Sequence, residues 1–342
     1  MASFQKNPLG KTELSIDALG FGCASLGNLY HAVSDAEAAD ILTTARARGF
    51  RYFDTAPHYG QGLSERRVGD ALRGSSDYVL STKVGRLLRP AGYAAERHGF
   101  VSPMPFDMAY DYSYDGVMRS FEDSLQRLGL DRIDILYMHD IGPVTHGDDD
   151  RRLFPIAMDG GYRALEALRQ SGLVSAIGLG VNEYEVCERA LDYGDWDCFL
   201  LAGRYTLLEQ KALETFLPQC MDRNCSLIIG GAYNSGILAT GVRGKGPYYY
   251  NYAAAPEPVI KKVAAIERLC DEFEVSMAAA ALQFPLAHPA VASVIPGIGK
   301  VSRIDQTLSL FATEIPDEFW QALRKHGLIR DDAPTPSCRS GG

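Results

Sequence analysis

The chain alternates short apolar segments with amphipathic ones along nearly its whole length, and this alternation constrains its fold more than any other feature. Eight segments are apolar on successive residues, as expected of strands covered on both faces. They are residues 19–25, 51–55, 78–84, 134–140, 176–181, 198–203, 227–231 and 293–297. Because an amphipathic segment follows each of them, the sequence predicts an α/β fold with a parallel sheet. Eight such units favour a closed (β/α)8 TIM barrel over a doubly wound open sheet.

The segments between the predicted strands carry helix signals. Residues 34–49 begin at an N-cap serine, have an acidic first turn and stop at a glycine. Residues 114–129 and 159–172 have a similar form. Two Gly-x-Gly segments, within 20–27 and 178–183, lack a correctly placed third glycine, so they give a Rossmann fingerprint little support.

The chain contains no low-complexity linker, and we predict a single barrel domain over residues 1–330. Two long loops are expected at the carboxyl ends of the strands, over 86–113 and 240–256, because both segments are rich in glycine, proline and aromatic residues. Residues 331–342 are predicted to form a flexible tail.

Composition narrows the class of protein. The net charge is −9 and no basic run with interleaved aromatic residues occurs, which argues against a nucleic-acid partner. No segment approaches the roughly 18 apolar residues of a membrane-spanning helix, and the first residues lack the apolar stretch of a secretory signal. The seven cysteines are odd in number and contain no Cys-x-x-Cys, so we expect a reduced, cytoplasmic protein without a metal or disulfide framework. Monomer and homodimer both stay open.

Reactive side chains stand at the ends of three consecutive predicted strands. Asp54 ends the second strand and Tyr59 lies in its loop, Lys83 ends the third, and His139 ends the fourth. In a barrel these strand ends meet at one face. Each residue also has an ordinary alternative as a turn cap, a loop-packing ring, a solvated charge or a structural histidine. As a set they are harder to dismiss, since an ammonium in an apolar strand needs a partner such as Asp54.

Such a set suits proton transfer at a carbonyl or carbinol. A phenol with a pKa near 10 is a poor acid or base at neutral pH, and a nearby ammonium is expected to lower that pKa. Asp54 would hold Lys83 charged, and His139 would orient the substrate oxygen. Neither a metal-ligand spacing nor an activated serine or cysteine accompanies these residues, so a bound hydride carrier would have to accept the electrons.

Three segments together resemble the aldo-keto reductase family: GFRYFDTAPHYGQGLSERRVGDAL (49–72), STKVG (81–85) and DILYMHD (134–140). The resemblance extends from residue 19 to residue 310. It implies a (β/α)8 barrel that binds a nicotinamide dinucleotide without a Rossmann fold. It also implies a catalytic tetrad of Asp54, Tyr59, Lys83 and His139, in which Tyr59 donates a proton in reduction and accepts one in oxidation.

The resemblance carries cofactor contacts onto further positions. Asn182 matches the residue that holds the nicotinamide carboxamide, and Ala202 stands where a glutamine contact is usual. The loop expected to cover the phosphates contributes Tyr233, Asn234, Ser235, Gly236 and Leu238. Gly297, Arg303, Gln306 and Thr307 fall at the adenosine end. Because Gly297 replaces a lysine that often meets the 2′-phosphate, NAD is favoured, while Lys300 or Arg303 leaves NADP possible.

Finer resemblance, chiefly over residues 105–147, implies one branch of the family, the bacterial sugar 1-dehydrogenases and pyridoxal 4-dehydrogenases. The expected reaction is oxidation of the hemiacetal carbon of an aldose of the L-fucose, D-arabinose or L-galactose type to a lactone, with Tyr59 as general base. Two alternatives stay open: oxidation of pyridoxal to 4-pyridoxolactone, and broad NADPH-dependent reduction of aldehydes. The candidate substrate-binding residues lie in loops: Tyr30, His58, Phe106, Tyr112 and Asp140.

Overall fold

The computed structural model describes residues 4–336, and its centre is an eight-stranded parallel sheet whose strands follow one another in chain order. The strands are β1 (Phe21–Gly22), β2 (Tyr52–Asp54), β3 (Val79–Val84), β4 (Ile135–His139), β5 (Ala176–Val181), β6 (Cys198–Ala202), β7 (Ser226–Gly230) and β8 (Val291–Val294). The amide of Gly20 donates to Val294 at 2.9 Å, and that of Gly22 donates to Pro296 at 3.1 Å. These bonds join the first strand to the last, so the sheet closes into the predicted barrel.

Two layers of apolar packing hold the barrel together. Side chains that point inward form one buried cluster, which includes Tyr52, Tyr137 and Ile228. A hairpin of Lys6–Pro8 and Ser15–Asp17 adds its own buried residues to this cluster and so covers the amino-terminal end of the barrel. The outward faces of the strands pack against the helices in a second, larger cluster. Burial on both faces explains why the strands read as continuous apolar runs.

The helices that surround the barrel are α1 (Asp35–Ala47), α2 (Leu63–Leu72), α3 (Tyr114–Leu128), α4 (Arg163–Gln170), α5 (Glu185–Leu191), α6 (Phe216–Asp222), α7 (Glu257–Glu272), α8 (Met277–Gln283), α9 (Ser302–Ala312) and α10 (Asp317–Lys325). Shorter helices span Pro143–His146, Asp150–Ile156 and Ile237–Thr240. The predicted N-cap, Ser34, starts α1 and forms a capping box with Glu37.

The helix predicted over 159–172 is only partly α-helical. Residues Ala157–Tyr162 form a π-helical segment, and the α-helix begins at Arg163. Gly160 and Gly161 explain the departure, because each packs against the backbone that leads into α3. A Cβ on Gly160 would lie 2.9 Å from the amide nitrogen of Tyr114, and one on Gly161 would lie 2.7 Å from the carbonyl oxygen of Tyr112.

The two long loops contain small sheets of their own. In the first, Arg86–Pro90 pairs with Phe106–Tyr110, and Glu96–Arg97 pairs with Phe100–Val101. In the second, Tyr249–Tyr250 pairs with Ala253–Ala254. Both loops rise from the carboxyl ends of the strands and form walls around the mouth of the barrel. We call them the first hairpin (86–110) and the second hairpin (249–254).

The first part of the predicted tail packs on the barrel domain. Ala333 is 1% exposed, and its carbonyl accepts a hydrogen bond from Arg324 at 2.9 Å. Residues 337–342 lie outside the described part of the chain, so the rest of that prediction stays a prediction. No helix within residues 4–336 is long and apolar enough to cross a membrane.

Candidate active site

The four predicted catalytic residues converge at the carboxyl end of the barrel. Lys83 Nζ donates to Asp54 Oδ2 at 2.8 Å, to the carbonyl of Thr55 at 2.8 Å and to Tyr59 Oη at 3.2 Å. The rings of Tyr59 and His139 are 6.2 Å apart, edge to face. The lysine ammonium therefore joins a carboxylate on one side to a phenol on the other.

The pair of Lys83 and Asp54 is almost completely shielded from water, since their side chains are 1% and 2% exposed. The parallel register sets Asp54 opposite Ser81, whose hydroxyl donates to Asp54 Oδ1 at 2.7 Å. A buried ammonium or carboxylate is costly unless it is paired and hydrogen-bonded. Each charge here has that compensation, and the neighbouring strands hold the lysine at a fixed position.

Two glycines fix the position of Tyr59. Gly27 follows β1, Gly60 follows Tyr59, and their backbones touch. A Cβ on Gly27 would lie 2.5 Å from the carbonyl carbon of Tyr59, and one on Gly60 would lie 2.4 Å from the carbonyl oxygen of Gly27. Real Cβ atoms do not approach so closely, so the first loop braces the second only because both residues lack a side chain.

The expected lowering of the Tyr59 pKa is outweighed in this structure. Burial raises the pKa of the phenol well above 10, and the carboxylates of Asp54 and Asp140 raise it further, while Arg86 opposes them. The ammonium of Lys83 is still the nearest cation and stabilises whatever phenolate forms. Burial is the largest of these influences on the pKa, so it outweighs the nearby cations.

His139 is neutral in this environment. Burial holds its pKa well below 6.5, and the cations of Arg86 and Lys83 lower it further. Its Nε2 lies 3.5 Å from Asp140 Oδ2. A neutral imidazole keeps one N–H to donate, so His139 can bind an uncharged or developing negative oxygen without first losing a proton.

A cavity of about 400 Å³ opens above these residues. Of the predicted substrate-binding residues, Tyr30, His58 and Asp140 line it, together with Tyr59, Lys83 and His139. Phe106 and Tyr112 are not part of this lining. Tyr112 is 1% exposed, and its hydroxyl donates to the carbonyl of His139 at 2.9 Å. The structure therefore places Tyr112 behind His139, where it supports the end of β4.

Several residues that sequence reasoning missed also shape the cavity. His98, Phe100 and Tyr252 line it. The rings of His58 and Phe100 meet edge to face at 5.1 Å, which makes one wall aromatic. These residues come from the two hairpins, whose shape the sequence left undefined. Arg86 lies just behind the lining, and its position directly after STKVG was the available signal.

Tyr252 forms contacts outside its own loop. The Tyr252 amide donates to Ser235 Oγ at 3.0 Å, and its hydroxyl lies 3.5 Å from Asn182 Oδ1. Arg204 ties the neighbouring Asn251 to the carbonyl of Asn182, with donor–acceptor distances of 2.8 and 2.7 Å. The hairpin tip is thus fastened over the mouth beside the predicted cofactor residues.

The opposite side of the mouth is built from small residues. Gly180 and Ala202 line the cavity next to Asn182, whose side-chain Nδ2 donates to Asp140 Oδ1 at 3.0 Å. A Cβ on Gly180 would lie only 3.2 Å from Lys83 Cε. A larger residue at that position would press on the lysine and fill the floor of the cavity.

The loop 233–238 uses much of its hydrogen-bonding capacity internally. The amides of Asn234, Gly236 and Leu238 donate to carbonyls within 231–233. The Asn234 side chain is buried, accepts from Thr206 at 2.6 Å and donates to Gly203 at 3.1 Å. The predicted phosphate contacts of this loop therefore stay predictions, and its clearest role here is to hold Tyr252 through Ser235.

The predicted adenosine-end residues lie along one stretch after β8. Gly297 bridges to Gly22. Arg303 and Gln306 are exposed on α9. Thr307 is 7% exposed and donates its hydroxyl to the carbonyl of Arg303 at 2.7 Å. Burial raises the pKa of the half-buried Tyr233 to about 12, and the nearby cation of Arg303 partly opposes this rise.

Comparison with known proteins decides the family. Residues 18–327 match the Aldo/keto reductase family. The chain belongs to this family. It is 46% identical to a pyridoxal 4-dehydrogenase of Microbacterium luteolum, over 95% of this chain and 98% of that protein. It is 39% identical to a D-threo-aldose 1-dehydrogenase of a Pseudomonas species, over 94% and 96%.

A solved structure agrees with the fold. An aldo-keto reductase from Bacillus halodurans in its holo form superposes with a TM-score of 0.74, at 26% identity, over 96% of this chain and 97% of that one. The predictions of an aldo-keto reductase, of a (β/α)8 barrel and of an NAD(P)-dependent oxidoreductase are confirmed.

The mouth of this aldo-keto reductase fits a nicotinamide ring. Gly180 and Ala202 line the cavity with small residues, and the side-chain amide of Asn182, which already meets Asp140 and Tyr252, has a second N–H and a second lone pair for a carboxamide. The donor set does not suit a metal: among residues 4–336, no group of three or more histidine, cysteine or acidic side chains is arranged to hold an ion. When bound, the dinucleotide supplies the hydride acceptor, and the proton is left to this chain's own residues.

Proposed function

We propose that this protein oxidises a cyclic hemiacetal to a lactone with a nicotinamide dinucleotide, and that pyridoxal in its hemiacetal form is the substrate to test first. The observation that carries the proposal is the contact of 3.2 Å between Lys83 Nζ and Tyr59 Oη at the floor of a cavity lined by aromatic rings. A positioned proton acceptor beside a hydride acceptor is what oxidation of a hemiacetal requires.

Tyr59 takes the proton in this proposal. The hemiacetal hydroxyl gives its proton to Tyr59 Oη as its carbon gives up a hydride, and the ring carbon becomes the lactone carbonyl. Lys83 stabilises the phenolate that must form first, and Asp54 keeps Lys83 charged. Because burial raises the pKa of Tyr59, only a small fraction of the phenol is ionised near neutral pH, and the reaction should quicken as the pH rises.

His139 holds the reacting oxygen. Its neutral imidazole donates a hydrogen bond to the hemiacetal oxygen and fixes the carbon that loses hydride. Neutrality matters because an imidazolium would disfavour the loss of hydride from the carbon beside it. His58 is also neutral, since burial and the nearby cations lower its pKa to about 2.

The walls of the cavity favour a flat ring. Phe100, His58, Tyr30 and Tyr252 line it, while Asp140 already has partners in Arg86 and Asn182. Few charged groups are left to match the several hydroxyls of a sugar, whereas a pyridine ring can stack on the aromatic wall. The 46% identity to a pyridoxal 4-dehydrogenase likewise favours pyridoxal over a sugar.

An aldose of the L-fucose, D-arabinose or L-galactose type is the second candidate. The 39% identity to a D-threo-aldose 1-dehydrogenase favours it, and pyranoses and pyridoxal are both cyclic hemiacetals that the same chemical step can oxidise.

NAD is the proposed cofactor, since Gly297 offers no cation for a 2′-phosphate, although Arg303 stays exposed nearby.

The test combines two oxidised cofactors with four substrates and adds one reductive reaction with a fifth. The purified protein is mixed with NAD⁺ or NADP⁺ and pyridoxal, L-fucose, D-arabinose or L-galactose, and reduced nicotinamide is followed by absorbance, with the lactone identified by mass spectrometry. Lactone from pyridoxal supports the first candidate, and lactone from a sugar alone supports the second. The fifth substrate is a simple aldehyde with NADPH. Turnover in that reaction only would overturn both and favour a broad reductase.

A further inference from the structure

A second buried ion pair lies beside the predicted catalytic residues. Arg86 and Asp140 face each other with their side chains 5% and 10% exposed. Asp140 directly follows His139 and lines the cavity, whereas Arg86 lies behind it, outside the lining. Buried charges are retained only where each is paired, and removing one partner leaves the other uncompensated. The pair is therefore an integral part of the site.

Asp140 divides its carboxylate between the two sides of the mouth. Oδ2 faces Arg86 and lies 3.5 Å from His139 Nε2, while Oδ1 accepts from Asn182 Nδ2 at 3.0 Å. Its backbone has φ of +47°, a left-handed conformation that non-glycine residues seldom adopt. Asp140 holds that conformation because its amide donates to Gly180 at 2.9 Å and its side chain is fastened at both oxygens.

Arg86 is itself placed by close packing. It follows Gly85, which has φ of +93° and lies so close to Tyr112 that a Cβ would be 2.4 Å from that ring. Its guanidinium lies over the ring of Tyr110 at 5.4 Å, and Nη1 is 3.4 Å from Met108 Sδ. The guanidinium is thus clamped between the first hairpin and the end of β4.

We propose that Arg86 is a positioning residue of the reaction, which acts through the carboxylate of Asp140 to orient His139 and Asn182 and to balance the charge of the site. The proposal rests on the function proposed above, because it assumes that His139 contacts the substrate and that Asn182 contacts the nicotinamide. It goes beyond that function by assigning a role to a residue that touches neither.

If Arg86 balances the charge of the site, its loss should shift the pH profile of the reaction. A mere loss of packing should not. The charged and titratable groups that face His139 are Arg86, Lys83, Asp140, His58 and Tyr59. Arg86 lowers the pKa of both His139 and Tyr59, and Asp140 raises that of Tyr59. Loss of the arginine charge should therefore move the pH profile of kcat/KM to higher pH. Loss of the aspartate charge should move it to lower pH.

The experiment compares Arg86→Met, Arg86→Lys, Asp140→Asn and the double variant Arg86→Met/Asp140→Asn. We expect kcat to fall about tenfold or more in Arg86→Met, with the pH profile displaced upward. Arg86→Lys should keep the position of the profile because it keeps the charge, and Asp140→Asn should displace it downward. The double variant should return the profile toward its original position.

Arg169→Met is the matched control. Arg169 pairs with the buried Asp197 at 2.8 Å, but at the amino-terminal end of β6, far from the mouth. This variant should lower the melting temperature and leave the pH profile unchanged. If the Arg86 and Asp140 variants likewise lose activity only in step with melting temperature, with unmoved profiles, the pair is structural and the proposal fails.

Two readouts keep this test separate from the proposed function. Nitrogen-15 NMR of the His139 imidazole, with NAD⁺ affinity measured by calorimetry, needs no turnover. An altered His139 resonance and weaker NAD⁺ binding in Arg86→Met support the proposal even if the protein oxidises no hemiacetal. In that case the kinetic measurements use the reduction of an aldehyde instead. Unchanged His139 resonances in Arg86→Met, Arg86→Lys and Asp140→Asn would overturn it.

Discussion

The two halves of the barrel mouth are built in different ways. Strands β2 to β4 supply charged and titratable side chains, of which Asp54, Lys83 and His139 are 1–5% exposed and held by neighbouring groups. The half formed by β5 to β8 supplies small residues such as Gly180 and Ala202, and what matters there is the space that an absent side chain leaves. In the proposed function the first half moves the proton and is called the chemical half, and the second half admits the flat nicotinamide ring and is called the binding half. The chemical half depends on residue type, and the binding half depends on backbone shape.

The largest expected effect comes from removing one oxygen in the chemical half. Tyr59→Phe should lower kcat/KM about a thousandfold while NAD⁺ affinity stays the same, because the phenol acts only in the chemical step. Steady-state kinetics with calorimetry of NAD⁺ binding measures both. Tyr205→Phe is the control, since that hydroxyl is buried without a hydrogen-bond partner in the described structure. A Tyr59→Phe variant with ordinary turnover would rule out the proton acceptor.

The pH dependence of the same residue gives the next effect. Burial raises the pKa of Tyr59 above 10, so below that pKa the phenolate fraction grows about tenfold per pH unit. For oxidation of the hemiacetal, kcat/KM should rise steeply from about pH 7 to about pH 9. His139 is neutral throughout and should add no second limb in this range. A flat profile would mean that proton transfer from the hemiacetal does not limit the rate.

Backbone shape enters the chemical half at Gly27. Gly27→Ala would push on the carbonyl of Tyr59, and a displacement of that loop should lower kcat about tenfold to a hundredfold. The variant should stay folded, as circular dichroism would show. Gly244→Ala is the matched control, because a Cβ at Gly244 meets nothing within 4 Å. Equal activity of the two variants would show that the first loop does not brace Tyr59.

The smallest effect is expected in the binding half. Gly297→Lys has room, since a Cβ there would meet only Ser25 Oγ at 3.4 Å. The added cation should improve kcat/KM for NADP⁺ relative to NAD⁺ by several-fold. Gly297→Met adds a side chain of similar length without charge and should leave the ratio unchanged. An unchanged ratio in the lysine variant would contradict the assignment of this segment to the adenosine end.

How well each half could be predicted follows from the same distinction. The eight strands and the positions of Asp54, Tyr59, Lys83 and His139 could be deduced from the sequence, because an unpaired charge in a buried strand is costly and its partner must lie nearby. Phe106 and Tyr112 were predicted to line the substrate site, yet Tyr112 lies behind His139. An aromatic residue in a loop carries no signal of which way its ring turns, because either face can be buried at similar cost.

Arg86 and Tyr252 show the limit most clearly. Arg86 meets Asp140, which follows β4, and Tyr252 meets Asn182, which follows β5, and both partners are dozens of residues away in the chain. The sequence by itself determined the barrel and the pairing of Asp54 with Lys83, since periodicity and the cost of a buried charge are local in the chain, and the resemblance of its motifs indicated the family. The tertiary structure decided which loops close the mouth, what raises the pKa of Tyr59 and how Asp140 is fastened, because burial and contact between distant segments exist only after folding.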